Sequence, residues 1–153
     1  MPVSPHDQKI IDGLQPEFGK AVYLWLNDCA AEHLPVILAE GLRSFERSNV
    51  LYAQGRTKPG SIVSNAKAGQ SYHNFGIAVD CVKRDAHGDP TWDFDPASPE
   101  WKRVVALAKA RGMQWGGDWK FRDVPHFQPA AVPPLVECRR KWPKGWSPKG
   151  GPT

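Results

Sequence analysis

One stretch restricts the possible folds more than any other: GIAVDCV (76–82), then HGDP (87–90), then TWDF (91–94). Its β-branched density, turn residues and second extended piece predict an antiparallel hairpin. Asp80 lies inside the first strand. Side chains alternate along a strand, so Asp80 shares a face with Ala78 and Gly76 while Val79 and Cys81 point the other way. Those small neighbours leave room for a metal. His73 stands at the strand mouth, at a spacing from Asp80 that a helix cannot explain, and Gly76 lets the chain bend so that His73 reaches the same face.

Around this hairpin the chain reads as short elements. From Pro16 to Glu32, Phe18, Val22, Trp25, Leu26 and Cys29 recur at helical steps, predicting an amphipathic, core-facing helix. LPVILAEGL (34–42) predicts a buried strand, and Ser44 to Gln54 a helix with Ser44 as N-cap and Gly55 at its end. Residues 56–71, RTKPGSIVSNAKAGQS, read as a long loop, a feature that is often functional in compact domains. Ser98-Pro99-Glu100 opens a helix that runs to Arg111, with Gly112 as its C-terminal cap. MQW (113–115) and PHFQ (125–128) flank the turn GGDWKFRD and predict a second antiparallel pair. The expected fold is α+β, a small antiparallel sheet packed with two or three helices and a long loop.

The 153 residues, 41% hydrophobic, supply one core and fall short of two ordinary domains. One domain is expected over residues 1–138. A basic, Pro/Gly/Trp-rich tail over 139–153 is expected to lack a regular element and fray. The net charge of +4 suits an anionic partner. Lys and Arg are scattered, however, and no nucleic-acid-binding motif is present, so nucleic acid is not an expected partner. No run reaches membrane-spanning length, and the N-terminus lacks a basic-then-apolar leader, so synthesis in the cytoplasm without membrane insertion is expected. Cys29, Cys81 and Cys138 are widely spaced and read as buried free thiols.

A second motif, DVPH (123–126), carries chemistry of its own. Pro125 holds Val124 extended and fixes how Asp123 and His126 are displayed. Two imidazoles and a carboxylate are a normal catalytic zinc set with a fourth position open, and Asp123 is then available as a base.

SYHNFGIAVD (71–80) and DVPH together resemble the SxHxxGxAxD signature and closing motif of the LAS or M15 peptidases, over roughly residues 40 to 128. Segments 52–80 and 115–128 are similar to the L-alanyl-D-glutamate peptidase branch of phage endolysins and autolysins. The resemblance implies a hedgehog/D-Ala-D-Ala-peptidase-like fold holding one Zn2+ on His73, Asp80 and His126. It also implies Asp123 as general base, Arg43 as a substrate or oxyanion contact, and Ser71 as a substrate-side hydrogen-bonding residue. Family members more often carry an aromatic at the place of Leu42 and a Gln near Arg47 or Ser48, and neither stands here. The implied substrate is the peptidoglycan stem peptide, cut at L-Ala–D-Glu by a monomer that reaches the wall after holin-type release or lysis. Two alternatives stay open: a D-Ala-D-Ala carboxypeptidase or dipeptidase, and a non-catalytic zinc-containing wall-binding module. His6, His33 and His87 read as surface or hydrogen-bonded histidines, and Trp115 and Trp119 as packing residues.

Overall fold

The computed structural model describes residues 3–148. Strands β1 (Val36–Glu40), β2 (Val79–Arg84), β3 (Pro90–Thr91), β4 (Met113–Trp115) and β5 (His126–Pro129) form one sheet, ordered β1-β2-β5-β4, with β3 paired to β2. Each pairing is antiparallel. The α+β layout matches the sequence expectation.

Helices α2 (Pro16–Ala31) and α4 (Pro99–Ala110) cover one face of the sheet. Both begin with proline, and Ser98 caps α4 by accepting from the Trp101 amide at 3.2 Å. The α2 residues that set its predicted period, Phe18, Val22, Trp25, Leu26 and Cys29, are all buried. They meet Val79 and Cys81 of β2, Phe127 of β5, and Trp101 and Val104 of α4 in the main core. Trp25 and Phe127 have ring centroids 4.6 Å apart, and the Trp25 indole N–H donates to the Val104 carbonyl at 3.0 Å, so this buried aromatic keeps a polar partner. Alternation along β2 and β5 therefore sends Asp80, His126 and Gln128 to the opposite face.

Helix α3 (Phe45–Ala53) starts where Ser44 was expected to cap it, the Ser44 hydroxyl accepting from the Arg47 amide at 3.0 Å. A further helix, α1 (Pro5–Asp12), was not legible, because eight residues that bury only Ile11 and Asp7 offer too short a period to detect. β2 starts later than expected. Residues Tyr72–Phe75 form a 3-10 turn, Gly76 reverses the chain at φ 70°, and only at Val79 does strand geometry begin. β3 is likewise confined to Pro90–Thr91, since Phe94 leaves the hairpin to pack on Trp101 at 4.4 Å.

The expectation of an unstructured, fraying tail needs correction within the described residues. Helix α5 (Leu135–Lys141) runs across the expected boundary at 138/139. Cys138, Leu135, Trp142 and Trp146 close a second hydrophobic cluster over Phe75 and Ile77. The Trp146 amide donates to the Asn74 carbonyl at 3.1 Å, and Arg139 donates to the Gly69 carbonyl at 2.9 Å. Composition alone hid this, because the indoles acquire a surface to cover only once the 3-10 turn has formed. Residues 149–153 of the expected tail lie outside the described residues.

Candidate metal centre

Asp80 on β2 and His126 on β5 are direct cross-strand partners, so residues 46 positions apart in sequence share one register position and one face. His73 comes from the 3-10 turn that precedes β2. Its backbone is tied on both sides: the Ser71 hydroxyl accepts from the His73 amide at 3.2 Å, and the His73 carbonyl accepts from the Arg43 amide at 2.9 Å. Gly76 makes the approach possible. A Cβ there would lie 2.7 Å from the Trp146 ring, at a φ that side chains with a Cβ rarely adopt. Gly116 allows the second approach, because a Cβ there would collide with the Asp123 carbonyl and press on His126.

The result is a compact trio. His73 Nε2 is 3.3 Å and His126 Nδ1 is 3.7 Å from Asp80 Oδ1, and one donor atom from each residue lies within 4.8 Å of the others. Tetrahedral zinc with bonds of about 2.0–2.1 Å sets ligand atoms about 3.3 Å apart, which the two distances to Asp80 approach. Asp80 Oδ1 is buried and has no hydrogen-bond partner, an acceptor that a cation held with the two imidazoles would satisfy. Each histidine has its other nitrogen engaged. His73 Nδ1 lies 2.8 Å from the Gly41 carbonyl, so Nδ1–H donates and Nε2 is free to ligate. His126 Nε2 lies 2.7 Å from Gln128 Oε1, which leaves Nδ1 facing Asp80.

The electrostatics agree with this geometry. Burial pushes the Asp80 carboxyl up, but the two imidazoles facing it outweigh that and hold it well below the usual carboxylate range. Burial disfavours charge on His73, yet Asp80 and the Gly41 carbonyl leave it more basic than an ordinary histidine. Asp123 lies at the solvent side of the trio, half exposed, with Oδ2 3.6 Å from His126 Nδ1. Burial of its other half raises its carboxyl above the ordinary value, and the charge of Asp80 adds to that rise against the pull of His126, His73 and Arg43.

Arg43 is brought to the same cleft. Its Nε and Nη2 donate to the two Glu40 carboxylate oxygens at 2.8 and 2.7 Å, which leaves Nη1 for a ligand. Glu40 reaches this face because the register shifts between Leu38 and Glu40: Leu38 pairs with Cys81 toward the core, whereas Glu40 pairs with Asp80. Ser71 lines the cleft and caps the 3-10 turn. Cys81 is buried on the core side, away from the trio, and all three cysteines are free and buried.

Several residues of the site carry no signal in the local sequence. Gln128 carries no motif beyond its strand, although its position two beyond His126 puts both on one face. Buried Asn74 donates to the Arg43 carbonyl at 2.9 Å and to the Ser48 hydroxyl at 2.8 Å, and accepts from the Gly69 amide at 3.1 Å. It thereby joins three segments that nothing in the local sequence connects. Trp119, read as packing, lies with its ring 5.1 Å from that of His126 and donates to Gln114 at 3.0 Å.

Comparison with known proteins follows the same lines. Residues 64–129 match the M15 peptidase family model described as D-alanyl-D-alanine carboxypeptidase. The chain is 43% identical over 105 residues to the peptidoglycan L-alanyl-D-glutamate endopeptidase CwlK of Bacillus subtilis (strain 168), across 65% of this chain and 63% of that protein. It is 41% identical over 85 residues to the L-alanyl-D-glutamate peptidase of Listeria phage A118, across 52% of this chain and 29% of that protein. The chain thus spans less than two thirds of either relative. The crystal structure of the Serratia marcescens L-Ala D-Glu endopeptidase ChiX shares the fold, with a TM-score of 0.60, 24% identity, and coverage of 84% of this chain and 90% of that one.

Proposed function

We propose that this protein is an M15-type, zinc-dependent peptidoglycan peptidase cutting the L-Ala–D-Glu bond of the stem peptide, a reading supported by the match of residues 64–129 to the M15 family model and by the two L-alanyl-D-glutamate peptidase relatives. The observation that carries the chemistry is the orphaned Asp80 Oδ1 facing two imidazoles beside a half-exposed carboxylate. The names of the two sequence relatives support the choice of bond.

On this reading His73 Nε2, Asp80 Oδ1 and His126 Nδ1 hold one zinc ion. Zinc supplies Lewis acidity at the scissile carbonyl and lowers a water's pKa from about 15.7 toward about 7. Asp123 takes the proton of the attacking water, a task its raised carboxyl pKa favours, and returns it to the leaving amine. Arg43 carries positive charge near Asp80 and Asp123, where it offsets the negative charge that develops on the carbonyl oxygen. Ser71 positions His73 by accepting from its amide and lines the cleft. The protein acts as a monomer on the wall after release from the cell. Among the described residues no helix is long and apolar enough to cross a membrane. The proposed peptidase unit spans residues 1–138, and the described part of 139–153 continues α5 and packs against it.

The family description itself supports a second reading, a D-Ala-D-Ala carboxypeptidase with the same metal chemistry. Digestion of purified peptidoglycan with and without a chelator, read by mass spectrometry, separates them. Chelator-sensitive release of peptides beginning with D-Glu is the expected product. Loss of terminal D-Ala selects the second reading, and no cleavage under either condition overturns both.

A further inference from the structure

The cleft over the metal-facing trio measures about 1300 Å³. It gathers aromatic surface that the fold leaves in water. Among the described residues, the exposed tryptophan and phenylalanine are Trp92, 61% exposed, and Phe121, 84% exposed, and both line this cleft. Neither joins a hydrophobic cluster, so folding gains little from them. Exposed apolar surface concentrated at a cleft marks a contact made with something else.

Strand pairing locates Trp92. Lys83 of β2 pairs with Val36 of β1 on one side and with Thr91 of β3 on the other. Thr91 therefore lies on the flank of β2 where His126 pairs with Asp80. β3 runs antiparallel to β2, so the chain leaving Thr91 heads toward the Asp80 end of β2, and Trp92 lines the cleft together with Asp80 and His126. Lys83 is three residues from Asp80, about 10 Å along the strand, which sets the scale of the separation between β3 and the trio.

The substrate of the reading above has a matching dimension. An L-Ala–D-Glu bond is the first peptide bond beyond the muramic acid, and only the alanine and the lactyl group separate the scissile carbonyl from the sugar. Two such units span about 7 Å when extended. An enzyme that cuts there must accommodate the pyranose inside its cleft, whereas a D-Ala–D-Ala bond lies several residues farther out.

We propose that Trp92, with Phe121, forms a stacking platform for the N-acetylmuramyl ring. A pyranose presents a face of C–H bonds with partial positive charge, which complements the negative face of an indole. The contact is uncharged and insensitive to salt, which distinguishes it from capture of an anionic polymer by the surrounding arginines. This proposal rests on the L-Ala–D-Glu reading.

The test uses the zinc-loaded full chain on two substrates, an N-acetylmuramyl tetrapeptide and the sugar-free, N-acetylated tetrapeptide of the same sequence. Wild-type protein is expected to prefer the muramyl substrate in kcat/KM, mainly through KM, and Trp92→Ala to lower that preference by roughly 3- to 10-fold, the effect of one aromatic stack. In parallel, saturation-transfer NMR with N-acetylmuramyl-L-alanine on metal-free protein is expected to show contact to the sugar ring that Trp92→Ala and Phe121→Ala weaken. Cleavage of both substrates at equal efficiency, or an unchanged preference in Trp92→Ala, overturns the platform while the peptidase reading stands. Cleavage of neither at L-Ala–D-Glu overturns that reading and the platform with it.

Discussion

Among single residues, Asp123 and Gln128 divide the work at the trio. Asp123 is half exposed and off the ligand positions, so Asp123→Ala is expected to keep its zinc and lose about 10²- to 10⁴-fold in turnover, checked by metal content and kcat. Gln128 is buried, and its amide oxygen 2.7 Å from His126 Nε2 selects the ring tautomer that turns Nδ1 to the metal position. Gln128→Leu is expected to weaken zinc binding about 10- to 100-fold in a chelator competition assay, with Gln128→Glu restoring most of it. His73 adds a dependence on pH. Its folded pKa is raised, so in metal-free protein its ion pair with Asp80 stabilises the fold fully below about pH 6.5 and is lost as pH rises through the folded value. Zinc needs the neutral ring, so affinity moves the opposite way. It is expected to fall by about tenfold per unit once pH drops below the folded pKa, as titrations between pH 5 and 8 can measure.

At the level of elements, the 3-10 turn Tyr72–Phe75 is the part whose geometry the site depends on most. It is held by the Ser71 cap at one end and by Gly76 at φ 70° at the other. Gly76→Ala is expected to cost about 1–2 kcal/mol in backbone strain alone, more once Trp146 is displaced, as a lowered midpoint in urea unfolding. Zinc affinity should fall with it, because His73 moves with the turn. The register shift in β1 plays the corresponding part for Arg43, since without it Glu40 would fall on the core face beside Leu38.

For the whole molecule, the two hydrophobic clusters support different things. The larger one, under the sheet, aligns β2 with β5, and the smaller one presses α5 and the two tryptophans that follow it onto Phe75 and Ile77 behind His73. Both indoles are half-buried there. Replacing Trp142 and Trp146 by Ala is expected to destabilise the protein by about 2–4 kcal/mol. A thermal melt gives the stability loss, and the same variant should bind zinc more weakly while its sheet content stays intact by circular dichroism.

Much of the site was legible from local pattern. The alternation in GIAVDCV put Asp80 opposite Val79 and Cys81, and the proline before His126 marked an extended display, because these consequences follow from neighbouring residues alone. Helix periods and Ser caps placed α2, α3 and α4 for the same reason. The pairing of Asp80 with His126, the hydrogen bond from His126 to Gln128, the Glu40–Arg43 clamp and the packing of Trp142 and Trp146 were decided by tertiary structure. Each depends on strand register or on a surface that exists only when distant segments have met, and the free energy that selects such a register comes from burying a shared core, which no single segment contains.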